Sequence, residues 1–198
     1  MWGKMRKRVA NLTSNILNPF LVSLVVVLLL SFRVTSSFVD ALKWWLILVA
    51  LSLLPVYLVI VYLIRSKRIE GFFIPVREQR TKIYLLAGVC AGIACAILPY
   101  LGAPLILIAT FVVGVSAVVV FMGINLWWKI SIHTAFIAAS VTILIILYGW
   151  IVAVTIVLVP LTAWARIELE HHSPAQVATG ALLAASIVVA VFYLFGLV

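Results

Sequence analysis

The sequence predicts an all-α integral membrane protein, a polytopic bundle of about seven transmembrane helices (six to seven). Two observations support this prediction. Hydrophobic residues make up 67% of the 198 residues and charged residues only 10%, with a mean hydropathy of +1.33, whereas soluble domains have about 45–50% apolar and about 25% charged residues. The apolar residues also form continuous runs, such as Leu24–Leu30 and Val141–Leu147, without the alternation of a membrane β-barrel. A soluble domain, a disordered chain and a secreted disulfide scaffold are therefore excluded.

The apolar runs divide the chain into candidate spans, each of which needs about 20 residues within a range of about 17–25. In order they are Asn15–Phe32, Ala41–Ile64, Ile83–Tyr100, Pro104–Ile124, Ile130–Gly149, Ile151–Arg166 and Pro174–Leu197. We predict one membrane domain over residues 1–198. It comprises two N-terminal spans in 1–64, a basic cytoplasmic or interfacial loop at 65–82, and a five-helix core at 83–198.

The distribution of basic residues predicts the orientation of these spans. With a cytosolic N-terminus, twelve of the 14 lysines and arginines fall at inner helix ends, and only Arg33 and Lys43 fall outside. Cytoplasmic loops carry such an excess of basic residues. We therefore expect a protein of a prokaryotic cell membrane with its N-terminus in the cytosol and its C-terminus outside. The net charge of +9 is accounted for by this topology, and no nucleic-acid partner is predicted.

Polar and ionisable side chains collect in three clusters at the predicted inner ends of helices. The clusters are Arg77–Arg80, Lys129–His133 and Arg166–His172, and together they contain all three histidines. Two predicted spans separate each cluster from the next, so all three return to the same side of the membrane. Ionisable residues near membrane depth are costly and indicate a functional site. We expect the clusters to converge at the cytoplasmic surface.

The residue types in these clusters suit the chemistry of phosphate esters. Arginine binds phosphate oxygens through paired hydrogen bonds and stays charged. Ser131 and His133 stand at a helix start, where backbone N–H groups favour an anion, and histidine can act as nucleophile or general acid. Cys90 and Cys95 lie in one apolar span and are interpreted as packing residues. Neither a metal nor a cofactor is predicted.

The third cluster resembles a motif of the type 2 phosphatidic acid phosphatase superfamily. That motif reads S-R-x5-H-x3-D, and here Arg166 and His172 have the same spacing. Ser131-x-His133 resembles the second motif, P-S-G-H, and lies at the start of the third helix from the end. Arg77 and Arg80 stand where the first motif, K-x6-R-P, is expected. The resemblance covers roughly residues 77–180.

The chain also departs from the family's pattern at several positions. Ala165 replaces the serine before the motif's arginine, and Gln176 replaces the final aspartate. Ile130 and Ile132 replace the proline and glycine of the second motif, and the first motif lacks its Arg-Pro pair. These departures bear on catalysis, because an amide does not stabilise an imidazolium as a carboxylate does.

The resemblance implies a metal-independent hydrolase of a membrane lipid phosphate or an isoprenoid diphosphate. In that reading His172 forms a phosphohistidine and His133 protonates the leaving group. The phosphate oxygens are bound by the remaining cations and one hydroxyl, namely Arg77, Arg80, Lys129, Ser131 and Arg166. Gln176, Glu168 or Glu170 would orient a histidine in place of the missing aspartate.

Structural roles for the same residues remain open alternatives. Arg77, Arg80 and Lys129 can anchor helix ends at the membrane interface, and Ser131 can serve only as an N-cap. Ser173 and Gln176 fit a capping box, and the two glutamates can neutralise neighbouring cations. Two other functions are compatible with the sequence: a non-catalytic relative that binds lipid-phosphate headgroups, and a small transporter or assembly subunit.

Overall fold

The computed structural model describes residues 2–69 and 77–198, and throughout these ranges the regular structure is helical. The α-helices are α1 (Trp2–Ile16), α2 (Pro19–Val34), α3 (Phe38–Leu48), α4 (Leu54–Arg65), α5 (Arg77–Ile97), α6 (Leu105–Asn125), α7 (Ile132–Tyr148), α8 (Leu158–Glu168) and α9 (Pro174–Leu194). A π-helical stretch, Val49–Leu53, joins α3 to α4, and a 3₁₀ stretch, Gly149–Val157, joins α7 to α8. The all-α prediction is confirmed.

Local sequence explains where several helices begin. Asn18 accepts a hydrogen bond from the backbone N–H of Leu21 at 3.0 Å, and Pro19 opens α2, where its missing N–H costs nothing. Ser37 caps α3 by accepting from the backbone N–H of Asp40 at 3.0 Å. Ser173 and Gln176 form the predicted capping box at the start of α9. These caps satisfy backbone donors that the first helical turn leaves unpaired.

Four helical runs in the described chain are long and apolar enough to cross a membrane, which confirms an integral membrane protein. They are Phe38–Arg65, Leu105–Asn125, Ile132–Glu168 and Pro174–Leu194. The pair α1 and α2 becomes a fifth candidate if it is one span bent by 43°, and the apolar part of α5, Thr81–Ile97, is shorter. The number of seven separate spans therefore stays a prediction.

The long run Ile132–Glu168 reverses direction at Gly149. This glycine has φ 69° and ψ −154°, a backbone conformation that breaks a helix and that other residues rarely adopt. A straight helix would place His133 and Arg166 about 50 Å apart, but α8 instead packs back against α7. The predicted fifth and sixth spans, Ile130–Gly149 and Ile151–Arg166, correspond to the two arms of this hairpin.

The helices form two compact units, residues 27–127 and residues 1–26 with 128–198. The second of these, here called the terminal unit, combines α1 and the start of α2 with α7, α8 and α9. In this unit α9 packs along α7, and α1 packs on α8. We predicted a core of residues 83–198 that did not include the N-terminus. The packing of α1 with the C-terminal helices was not predicted.

The other unit is centred on the packing of α5 against α6. The helices approach closely at Gly88, where an added Cβ would lie 3.0 Å from the Val118 side chain. Asn125, which is almost fully buried, donates from Nδ2 to the Thr81 hydroxyl at 3.2 Å. Cys90 is buried and Cys95 half-buried, and both are free thiols within α5.

Candidate functional site

The close packing of α7 and α9 places the second and third sequence clusters side by side at one end of the terminal unit. A Cβ added to Gly180 would lie 2.7 Å from the backbone carbonyl oxygen of Ser131, so only glycine allows this approach. The backbone N–H of Ser131 also donates to the carbonyl of Gln176 at 3.4 Å. The contact fixes the start of α7 beside the start of α9.

His172 is positioned by the capping residue of α9. Its Nδ1 lies 3.1 Å from the side-chain oxygen of Gln176, and the same oxygen accepts from the backbone N–H of Ser173 at 3.2 Å. Because a backbone N–H must face an acceptor, the amide atom between them is the oxygen. Nδ1 of His172 therefore carries the proton in this hydrogen bond, and the lone pair of the neutral ring lies on Nε2.

Arg166 provides a buried positive charge beside the histidines. It is 4% exposed, and its Nη1 donates to the hydroxyl of Ser14 in α1 at 2.9 Å. Ser14 is itself fully buried. The imidazole of His133 lies within electrostatic range of Arg166, His172 and His171. The structure thus brings together the residues predicted as catalytic: His133, Arg166 and His172.

Ser131 offers a buried hydroxyl at the start of α7. The residue is fully buried, and its Oγ has no hydrogen-bond partner among the residues that the structure describes. It occupies the N-cap position but makes no side-chain cap bond, so the alternative role as a capping hydroxyl is not realised. A buried hydroxyl left unpaired costs about 1–3 kcal/mol, which makes this atom a candidate ligand-binding group.

Lys129 closes the loop between α8 and α9. Its Nζ donates to the backbone carbonyl of His171 at 2.8 Å. Burial, with Arg166 and Lys129 nearby, lowers the pKa of His171, whose side chain is half-buried. The backbone N–H groups of both His171 and His172 donate to the carbonyl of Arg166, at 3.1 and 3.3 Å. The loop is therefore a tight turn that keeps Arg166 and His172 close together.

The two glutamates of this loop pair with α1. Glu168 forms an ion pair with Arg6 at 2.7 Å, and Glu170 forms one with Lys7 at 2.9 Å. These contacts agree with the alternative in which the two glutamates neutralise neighbouring cations. Gln176, which was also predicted to orient a histidine, lies 3.1 Å from Nδ1 of His172.

Arg77 and Arg80 stand in the first turn of α5, and their side chains lie outside the described residues. They belong to the other compact unit. Their predicted part in phosphate binding therefore stays a prediction.

Sequence reasoning missed the contribution of α1 to this site. We predicted a cytosolic basic N-terminus followed by a span that begins at Asn15, whereas Trp2–Ile16 is a helix that supplies Arg6, Lys7 and Ser14. One signal was present: the apolar residues of this segment recur every three or four positions, which is typical of an amphipathic helix.

No family model, no curated protein and no solved structure matches this chain.

Proposed function

We propose that the protein is an integral membrane phosphatase that hydrolyses a lipid phosphate or an isoprenoid diphosphate through a phosphohistidine. The observation that carries this proposal is the hydrogen bond from Nδ1 of His172 to the side chain of Gln176. A histidine nucleophile needs one nitrogen fixed and the other carrying its lone pair, and this contact supplies that arrangement beside a buried arginine.

In the proposed reaction, Nε2 of His172 attacks phosphorus and the bond between phosphorus and the leaving oxygen breaks. His133 donates a proton to that oxygen, which leaves as the lipid alcohol or, from a diphosphate, as the monophosphate. A water molecule then attacks the phosphohistidine and gives its proton to His133. The bond between phosphorus and Nε2 breaks, and inorganic phosphate is released with His172 restored.

The other groups of the cluster bind the phosphate and offset its charge. Arg166 contributes a permanent cation in a buried position, where electrostatic interactions are strongest. The buried Ser131 hydroxyl and the N-terminal end of α7 add hydrogen-bond donors. Lys129 adds a second cation, and Arg77 and Arg80 are proposed for the same purpose from the resemblance. Fixed donors of this kind provide most of the catalysis in phosphoryl transfer.

Phosphate release from purified protein in detergent tests this function. The panel contains lipid monophosphates, isoprenoid diphosphates and a water-soluble phosphate ester, each with and without EDTA. We expect release from at least one membrane-anchored substrate, unaffected by EDTA. If no ester or diphosphate in the panel releases phosphate, the proposal is rejected.

A non-catalytic protein that binds lipid-phosphate headgroups is the second candidate. It is favoured by Gln176, because an amide oxygen stabilises the charged imidazolium of a phosphohistidine less than a carboxylate does. The same site would then hold a phosphate without transferring it, and binding of a headgroup would occur without phosphate release.

Gln176→Glu distinguishes these candidates, because glutamate has the same length and places a carboxylate oxygen at the position of the amide oxygen. It also preserves the capping box. We expect phosphate release to rise about tenfold in the phosphatase. The control is Asn11→Asp, which makes the same change from an amide to a carboxylate at an exposed position of α1 and should leave release unchanged. A fall in release for Gln176→Glu, at unchanged thermal stability, would contradict the assigned role of Gln176.

We propose that this site faces the cytosol, because twelve of the 14 cations lie on the side of the predicted inner loops. A cysteine introduced at Ser36 should then react with an impermeant maleimide added to intact cells, whereas one introduced at Ser173 should react only after permeabilisation. The opposite pattern would reverse the orientation.

A further inference from the structure

Helix α1 has three distinct sides, which follow from the 3.6 residues in each helical turn. The first carries large apolar side chains that are about half or more exposed: Trp2, Met5, Val9, Leu12 and Ile16. Their spacing of three and four residues aligns them along a single stripe. This stripe is called the apolar side of α1.

The second side faces the terminal unit. Ala10 and Ser14 are fully buried there, and Ser14 accepts the hydrogen bond of Arg166. Arg6 and Lys7 flank this side through their ion pairs with Glu168 and Glu170. These contacts hold the helix by a side other than the apolar one, so the apolar stripe is turned away from the packed helices of this unit.

The third side is polar and exposed, and it consists of Lys4, Arg8, Asn11 and Asn15. It lies about 100° from the apolar side around the helix axis, as the residue numbers require. Lys4 and Arg8 form no ion pair with any acidic residue that the structure describes. Two exposed cations therefore stand next to an exposed apolar stripe, an arrangement that matches the boundary between lipid headgroups and acyl chains.

The length and direction of α1 fit the same boundary. Its 15 residues extend about 22 Å, which is short of the hydrocarbon thickness of about 30 Å. A bend of 43° between α1 and α2 turns its axis away from the following apolar helix. Four cations within the first eight residues further disfavour a position in the hydrocarbon layer.

We propose that α1 is an amphipathic helix that lies in the headgroup layer of an anionic membrane leaflet. Its apolar side contacts acyl chains, and Lys4 and Arg8 bind the negatively charged headgroups of acidic phospholipids. This assignment does not depend on catalysis at His172. In this assignment the apolar and basic sides of α1 bind the membrane, while its buried side accepts the hydrogen bond of Arg166 through Ser14.

Site-directed labelling tests the orientation of α1 in the full-length protein in lipid nanodiscs. After Cys90 and Cys95 are replaced by alanine, single cysteines are introduced at Asn11, Leu12, Asn15 and Ile16 and given a nitroxide label. The neighbours in each pair lie at nearly the same position along the helix axis but on different sides of the helix. We expect oxygen, which partitions into lipid, to relax the labels at 12 and 16 preferentially, and a water-soluble nickel reagent to relax those at 11 and 15. Equal behaviour within both pairs would overturn the proposal.

A charge variant tests the preference for anionic lipid. A fluorescent label at residue 12 reports local lipid through quenching by brominated phosphatidylglycerol or brominated phosphatidylcholine in mixed nanodiscs. We expect Lys4→Gln with Arg8→Gln to lower the preference for the anionic lipid about tenfold, and the charge-preserving exchange Lys4→Arg with Arg8→Lys to leave it unchanged. No preference in the unaltered protein, or no loss in the neutral variant, would refute binding of anionic headgroups.

Discussion

His172→Ala is expected to abolish phosphate release, with a loss of at least about 10⁴-fold, because the covalent route cannot begin without its nucleophile. The fold should persist. The capping box between Ser173 and Gln176 does not involve the imidazole, and the side chain of His172 is only half-buried. The measurement combines initial rates of phosphate release with thermal unfolding of the same preparation.

His171→Ala is the matched control, since the neighbouring histidine contributes its backbone carbonyl to Lys129 and keeps that contact after substitution. We expect it to lose less than about tenfold in rate. Labelled substrate quenched in alkali should trap a phosphoprotein in the unaltered chain, and treatment with acid should release the label, because a phosphohistidine is acid-labile. Equal rates for the unaltered protein and His172→Ala would eliminate the phosphohistidine mechanism.

Arg166→Met is expected to lower phosphate release about 10²–10³-fold with only a modest fall in the unfolding temperature. The loss follows from removing one fixed donor to the transition state. The free energy of unfolding should fall by about 1–3 kcal/mol, because the substitution leaves the fully buried hydroxyl of Ser14 without its hydrogen-bond donor. Phosphate release and thermal unfolding are again measured together.

Ser14→Ala separates a ligand-binding role of Arg166 from a structural one. It removes the hydrogen bond of 2.9 Å between α1 and Arg166 but leaves the guanidinium in place. We expect a loss of less than about tenfold in rate. If the two variants lose activity equally, Arg166 acts only by attaching α1 to α8, and its assignment to phosphate must be given up.

The pattern of apolar and capping residues was sufficient to predict the class of fold and the ends of several helices. Long apolar runs without alternation can satisfy their backbone groups in a membrane only as helices, so the all-α membrane protein followed from composition. The capping box at Ser173 and Gln176 also followed, because it is a local interaction between residues three apart. The bounds of α9, Pro174–Leu194, are close to the predicted Pro174–Leu197 for the same reason.

Counting spans from apolar length was less informative, because length alone does not report the path of the chain. The boundary at Gly149 was predicted and agrees with the end of α7, but the break before Pro19 divides a region that was predicted as one span. This break depends on Asn18 and Pro19, which start a new helix, and a count of apolar residues does not register it.

The sequence by itself determined that polar groups cluster at helix ends and that Arg166 and His172 stand six residues apart in one turn. Only the tertiary structure decided their partners. Ser14 is 152 residues from Arg166, and Arg6 is 162 residues from Glu168, so neither pairing leaves a local signal. The close approach of Gly180 to Ser131 is likewise decided by how α7 packs on α9. Helix caps form between residues within one turn of the chain and can be predicted locally. The partner of a buried arginine depends instead on how helices that are distant in sequence pack together.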